Sequence, residues 1–351
     1  MSFKPEHEAI LYEKLSGKRV RCAVCQRRCL IEEGKTGFCF TRINFEGRLF
    51  TLSYGMVSTL TVAPIEIKPL YHFYPGSFWL SLGSLGCNFR CPGCQNWQIA
   101  HVRMTEKSKV YEKKEAEFLS PEEAIRLAET QKSMGLSFTY NEPTLWLEYT
   151  IDCSKIAHEH HLLTNYVTNG FITPEGLDEI GPYLDAFRVD LKCFSGRCYM
   201  KTAGFRDSRG ILEVIKRAKY HWKMHVEIVT NVTPGFNDDE EQLRAMAEWI
   251  ATQLGEETPW HLTRFIPHLK LSHLTPTPLR ALDRARDIGT NAGLKYVYIG
   301  NVPGHPAENT CCPGCGRILI TRKYFGLDSN YLVNGRCPDC GMIVPGRWNK
   351  N

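Results

Sequence analysis

Between residues 77 and 301 the chain alternates short apolar, β-branched runs with longer stretches whose apolar positions recur at helical spacing. The runs fall at 77–83, 136–140, 162–168, 185–191, 225–231, 261–265 and 295–299. Two intervening helices have legible starts. Ser120-Pro121-Glu122-Glu123 offers serine as N-cap, proline at the first helical position and glutamate at the third. Asn237-Asp238-Asp239-Glu240-Glu241 gathers acids where a helix N-terminus favours them. Such strand–helix repetition predicts a parallel sheet covered by helices. Six or so units fall short of a closed eight-stranded barrel. The expected fold is therefore α/β, an open, partial (β/α)6, TIM-like barrel, with reactive groups at the carboxyl ends of its strands.

The pattern fails at both ends, where cysteine takes over. Cys22, Cys25, Cys29 and Cys39 lie within eighteen residues that also hold Gly34, Gly37 and many charges. A piece this small lacks a hydrophobic core of its own. Structural zinc would fix it, and an auxiliary iron–sulfur cluster would accept the same four thiolates. Beyond it, Leu49 to Gly55 alternates like a strand and is expected at the edge of the main sheet. At the other end, Cys312-Pro313-Gly314-Cys315-Gly316 and Cys337-Pro338-Asp339-Cys340-Gly341 are two knuckles of the zinc-ribbon or rubredoxin-like kind, with Cys311 a spectator. The chain thus divides into a Cys-rich module over 1–75, a core over 76–302 and a zinc-ribbon-like module over 303–351.

Composition narrows the function. At 351 residues and 43% hydrophobic content the chain can bury a large core. A net charge of +5, from 43 basic and 38 acidic residues, is mild and dispersed, so nucleic acid is not an expected partner. Neither an apolar leader in Met1 to Glu8 nor a membrane-length apolar run is present, and a soluble, cytoplasmic protein is expected. Of fifteen cysteines only Cys153, Cys193 and Cys198 stand outside the clusters, where they read as core thiols. The clustering suits metal ligation rather than a disulfide framework.

The chemistry gathers in one loop, Cys87-Asn88-Phe89-Arg90-Cys91-Pro92-Gly93-Cys94, which follows the first strand of the core. Three thiolates spaced C-x3-C-x2-C hold three corners of a cubane, whereas clusters that only carry electrons normally take four cysteines. One iron is then open to a small molecule. The loop resembles that of the radical SAM superfamily. With Lys68-Pro69-Leu70-Tyr71-His72-Phe73-Tyr74-Pro75-Gly76 before it, then Gly86-Cys87-Asn88 and Cys94-Gln95-Asn96-Trp97, the chain looks within that superfamily like the AmmeMemoRadiSam-system enzymes, relatives of the activases of glycyl-radical enzymes such as pyruvate formate-lyase. Gly93 departs from the family, where an aromatic residue near the adenine usually precedes the third cysteine.

The resemblance implies a [4Fe–4S] cluster on Cys87, Cys91 and Cys94 and S-adenosylmethionine (SAM) bound at the strand ends. Asn141-Glu142 occupies the place of the superfamily's Gly-Gly-Glu motif, so Glu142 is expected to face the SAM ammonium; an ordinary turn before a helix is the plainer alternative. Asn169, in Thr168-Asn169-Gly170, is a candidate for ribose or carboxylate. Asp190 and Lys192 share one face of the fourth strand and resemble the activase D-L-K, with a surface ion pair as the alternative. Val232-Thr233-Pro234-Gly235 is similar to an activase pocket segment, and Ile299 and Gly300 correspond to residues lying against adenine in relatives. His72 is a candidate to face substrate; His305 reads as structural.

The function so implied is reductive cleavage of SAM to a 5′-deoxyadenosyl radical that takes hydrogen from a substrate, with no residue assigned a catalytic role. An external electron donor is required. AMMECR-type and Memo-type proteins are the candidate partners, and two Cys modules framing a lateral gap in the barrel would suit a protein substrate. The rival class is a non-catalytic iron–sulfur or zinc module that binds protein or nucleic acid; the three-cysteine site and the polar strand ends speak against it.

Overall fold

The computed structural model describes residues 5–104 and 116–348; Met1 to Lys4 and the last three residues of the expected terminal modules lie outside the described residues. Among these, the main sheet has eight strands. We label them β1 (Thr59–Pro64), β2 (Phe78–Gly83), β3 (Gly135–Thr139), β4 (Leu163–Thr168), β5 (Ala186–Asp190), β6 (His225–Val232), β7 (Trp260–Arg264) and β8 (Val297–Gly300). They lie side by side in sequence order; β2 to β8 are parallel, and β1 pairs antiparallel with β2. Apart from one short turn of helix at Trp97–Ala100, the described α-helices are α1 (Pro121–Thr130), α2 (Leu147–Glu159), α3 (Pro174–Ile180), α4 (Gly196–Ala203), α5 (Arg209–Lys216), α6 (Glu240–Trp249) and α7 (Leu279–Asn291). The result is an open α/β barrel of six strand–helix units closed off by a seventh parallel strand.

Local chemistry explains the segmentation. The Ser120 hydroxyl accepts from the Glu123 amide at 3.2 Å and the Glu123 carboxylate from the Ser120 amide at 3.0 Å, a complete capping box at the start of α1. At the entry to β3, a Cβ on Gly135 would lie 1.8 Å from the Leu163 carbonyl, so only glycine lets β3 meet β4 there. Trp260, Leu262 and Ile299 point from the sheet toward α7, where Leu282, Ala285 and Ile288 complete the apolar layer.

The edge of the main sheet is β1, not the 49–55 stretch. Arg48–Thr51 instead folds back through a turn at Gly47 (φ 76°) onto Arg42–Phe45, forming a separate three-stranded sheet with His7–Glu8. A tight hairpin pairs with its neighbour more readily than with a distant sheet. The N-terminal segment docks at the carboxyl ends of β2 and β4. Arg42, fully buried, makes a two-pronged ion pair with Glu148 of α2 at 2.7 and 2.9 Å, and the Thr173 hydroxyl at the start of α3 donates to the Ala23 carbonyl at 2.6 Å.

The opposite end of the barrel is plugged by the Lys68 to Gly76 stretch. Glu227 of β6, wholly buried, accepts from the backbone amides of Tyr71 and His72 at 3.0 and 2.8 Å and from His225 and His261 at 2.8 and 2.6 Å. Burial opposes its charge, but the two histidines outweigh that and hold its carboxyl well below the usual carboxylate range. His72 lies in this plug and not at a substrate surface. It is fully buried, its Nδ1 2.7 Å from the Pro345 carbonyl and its Nε2 2.6 Å from the Tyr298 hydroxyl. The C-terminal segment packs beneath it: Leu319, Ile320 and Val344 join Tyr71, Tyr296 and Tyr298, and Arg322 lies 3.8 Å above the Tyr71 ring. This segment therefore covers the amino ends of the strands and does not frame a gap near the Cys87 loop. No described helix is long and apolar enough to cross a membrane.

Candidate functional site

The loop after β2 is held from three sides. Gly86 has φ 81°, and a Cβ there would strike Thr41 and the Cys39 carbonyl at 2.4 and 3.0 Å, so the backbone is pressed against the N-terminal segment. Phe89, nearly inaccessible, packs on Phe171 after β4, with ring centres 4.9 Å apart. Arg90 donates to the Cys87 and Phe89 carbonyls at 2.7 and 2.8 Å and to the Phe38 carbonyl at 2.9 Å. The side chains of Cys87, Cys91 and Cys94 are thus presented from one braced turn at the carboxyl end of the barrel. Burial pushes all three thiols up; the positive charge of Lys192 opposes this at Cys91 and Cys94.

Four of the polar residues singled out from the sequence converge on this loop, and Asn141 braces it. The Asn141 amide donates to the Gly86 carbonyl at 2.6 Å, immediately before Cys87. Glu142 is wholly buried, its Oε1 accepting from the Thr144 amide at 3.0 Å and the Thr168 hydroxyl at 2.7 Å, its Oε2 from the Asn169 amide at 2.8 Å. No cationic side chain among the described residues reaches it, and burial pushes its carboxyl up. The Asn169 amide group donates to Asn88 Oδ1 at 2.8 Å, and its nitrogen lies 4.0 Å from the Cys87 sulfur. Asp190 sits between Arg188 at 2.7 Å and Lys192 at 3.7 Å; burial opposes its charge, but the two cations pull its carboxyl below the ordinary range.

Ile299 is not brought to the loop. It alternates with the inward-facing Tyr298, so its side chain points into the layer between sheet and helices. The departure at Gly93 has a steric reason: a Cβ there would meet Phe265 and Leu271 at 3.0 and 3.1 Å, and the Phe265 ring fills the space. Cys193 and Cys198 form a disulfide instead of resting as separate core thiols, because Ser195 caps α4 and turns Cys198 back until the Cα atoms are 5.7 Å apart. Cys153 is a buried free thiol. Sequence reasoning missed Asn88, Arg90 and Arg188. Asn88 and Arg90 lay inside the quoted loop, and Arg188 inside the quoted strand end, so adjacency to the cysteines and to Asp190 was the available signal.

The two terminal cysteine sets differ in geometry. In the C-terminal set, Cys312 and Cys340 sulfurs are 3.5 Å apart, Cys315 and Cys337 sulfurs 3.6 Å apart, and all four lie within 4.8 Å of one another. In the N-terminal set, Cys22, Cys25, Cys29 and Cys39 line one cavity with Arg27, Arg42 and Asn88, and burial raises the Cys22 thiol to about 11.

The chain is similar to several known proteins. Over 339 residues the chain is 40% identical to an uncharacterized protein of Methanocaldococcus jannaschii, covering 96% of this chain and 98% of that protein. It is 31% identical over 122 residues to the (2S)-3-sulfopropanediol sulfolyase activating enzyme of Bilophila wadsworthia, covering 34% of this chain and 40% of that enzyme. Among solved structures, a domain of pyruvate-formate lyase-activating enzyme from Bacteroides vulgatus aligns with 48% of this chain and 99% of its own, at 21% identity and a TM-score of 0.41. A radical SAM methyltransferase from Sphaerobacter thermophilus aligns with 65% of this chain and 67% of its own, at 15% identity and a TM-score of 0.49. Residues 82–250, which run from the end of β2 through α6 and include the Cys87–Cys94 loop, match the Radical SAM superfamily, and the chain belongs to that superfamily.

Proposed function

We propose that the protein is an activase-like radical SAM enzyme of the AmmeMemoRadiSam type, acting on a hydrogen of a protein substrate. The observation that carries the reading is Glu142, a buried carboxylate with three hydrogen-bond donors and no cation among the described residues, set beside a braced turn that presents Cys87, Cys91 and Cys94. The donor set fits the groups the family uses: three thiols leave one corner of a cubane open, and a carboxylate lacking a counter-ion suits an ammonium. When bound, the [4Fe–4S] cluster and SAM supply one-electron cleavage of the sulfonium, giving methionine and a 5′-deoxyadenosyl radical that takes hydrogen from substrate.

The chain's own residues then do the orienting. Glu142 fixes the amino end of SAM, and Thr168 and the Asn169 backbone amide fix Glu142. Asn141 and Asn169 hold the loop at Gly86 and Asn88, so that the three sulfurs keep one arrangement. Asp190 and Lys192 stand across from Cys91, with Arg188 as the second cation on Asp190, while Phe265 walls the side that Gly93 leaves bare. The likeness to the sulfolyase activating enzyme supports a protein substrate, and AMMECR-type and Memo-type proteins are the first to try.

The test is anaerobic reconstitution of the full chain with iron and sulfide, followed by SAM and dithionite. Wild-type protein should release 5′-deoxyadenosine, and the variant with Cys87, Cys91 and Cys94 all changed to alanine should release none. Deuterium should pass into 5′-deoxyadenosine from a labelled partner protein; its arrival from a free metabolite with no partner present overturns the protein-substrate part.

A further inference from the structure

The C-terminal quartet supplies a scale for reading the N-terminal one. Tetrahedral zinc with Zn–S bonds of about 2.3 Å requires ligand sulfurs less than about 4 Å apart, and the closest pairs of the C-terminal set, at 3.5 and 3.6 Å, have that spacing. Among the described residues it is the only set of three or more metal-binding side chains that closes to within 4.8 Å. Cys22, Cys25, Cys29 and Cys39 surround a shared cavity without closing so far. Cys87, Cys91 and Cys94, the family's cubane ligands, do not close either. The N-terminal quartet therefore has the spread of a cluster-holding set rather than the spread of a zinc site.

A second observation points to what fills the cavity. Three of its lining residues carry a buried nitrogen donor with no partner among the described residues: Arg27 Nη2, Arg42 Nε and Asn88 Nδ2. Arg42 and Asn88 are 1% and 0% exposed. An orphaned buried donor costs about 1–3 kcal/mol, and three around one cavity call for an acceptor within it. Zinc bound by four cysteines offers only the ligand sulfurs. A cluster adds its own bridging sulfides, which are hydrogen-bond acceptors and carry negative charge. Two of the three donors are guanidinium groups.

We infer that Cys22, Cys25, Cys29 and Cys39 hold a second iron–sulfur cluster of the [4Fe–4S] class, fully ligated by protein. Arg27, Arg42 and Asn88 donate hydrogen bonds to it. It lies against the first site: Arg27 Nε donates to the Asn88 carbonyl at 2.6 Å, and Asn88 both lines the N-terminal cavity and follows Cys87 directly. This deepens the proposed function and rests on that reading only for the coupling between the two sites. The cluster itself is tested without it.

The experiment uses the full chain with Cys87, Cys91 and Cys94 changed to alanine, reconstituted anaerobically with iron and sulfide in the presence of zinc. The variant should retain about four iron and four sulfide per chain, half the wild-type content, and about one zinc at the C-terminal set. On reduction its EPR signal should be unmoved by SAM. Two zinc and no iron, or one zinc and nothing else, overturns the inference. In reduced wild-type protein the two paramagnets should broaden each other's signals, and Cys29→Ala should remove that broadening while leaving a SAM-responsive signal. Sharp, independent signals in the wild type overturn the adjacency. Should Cys29→Ala fail to fold, the iron and zinc content of the triple variant decides the cluster alone. Absence of 5′-deoxyadenosine from the wild type, with the second cluster retained, would count against the proposed function only.

Discussion

Glu142→Gln is the sharpest test of the SAM site, because it keeps the shape of the side chain and removes its charge. In the folded protein Oε1 serves the Thr144 amide and the Thr168 hydroxyl, and Oε2 serves the Asn169 amide. Whichever way the new amide turns, its NH2 faces one of two fixed backbone N–H groups, and one bond is lost. Leaving that donor unmade costs about 1–3 kcal/mol of stability. Binding suffers separately. Removing one partner of a buried charge pair costs about 2–5 kcal/mol, and at 1.4 kcal/mol per tenfold the SAM dissociation constant should rise from about 30-fold to a few thousand-fold. Thr168→Val is the control, since it removes a single hydrogen bond to Glu142 and leaves the charge. Equilibrium dialysis of SAM against the reconstituted chain measures both, with iron content and circular dichroism confirming fold and cluster. A dissociation constant for Glu142→Gln within about threefold of wild type, or no worse than that of Thr168→Val, refutes the assignment and returns Asn141-Glu142-Pro143 to a turn.

Three further outcomes are expected. Glu148→Ala strands the buried Arg42 charge and should destabilise the chain by about 3–5 kcal/mol, whereas Arg42→Met with Glu148→Leu should recover most of it; equal melting temperatures for the single and double variants would contradict this. Cys337→Ala in the full chain should lose about one equivalent of tightly bound metal, and retention of that metal would mean the C-terminal quartet is not its site. Burial pushes His72 down to about 3, so between that pH and the unfolded value of about 6.5 the unfolded chain binds the extra proton. Stability should therefore rise with pH across that window, by up to about 1.4 kcal/mol per unit from this residue. His72→Gln should flatten the dependence of melting temperature on pH between 4 and 6, and an unchanged slope would show that His72 is not the group.

What the sequence revealed was local. The apolar runs of β2 to β8 are buried on both faces and stand out without any knowledge of their partners. The cysteine triad is spaced within eight residues, and the start of α1 is written in four. What stayed hidden depended on distance along the chain. Arg48–Thr51 and β1 alternate in similar ways, and only the folded hairpins decide which of them meets β2. His72 looked available for substrate because nothing near it in sequence shows that Tyr298 and Pro345 will enclose it. Ile299 was placed one residue from the inward face, a distinction that rests on the pleat of a strand whose phase the apolar run Tyr296 to Ile299 does not declare. The link between Arg27 and Asn88 spans sixty-one positions and had no signal at all.

The plug at the amino ends of the strands bears on how the chain is made. The Arg347 amide donates to the His72 carbonyl at 2.8 Å, and the Tyr74 amide to the Arg347 carbonyl at 2.6 Å, so the segment around residue 73 is paired with one that follows the whole barrel in sequence. Emerging from the ribosome, the chain can stack its strand–helix units as they appear, because each neighbour is local. The amides and carbonyls of the plug must wait, solvated, until the segment around Arg347 has emerged. A chain cut before Arg347 therefore lacks the latch of a barrel already built, and such chains should accumulate as late, open intermediates exposed to proteolysis at Lys68 to Gly76.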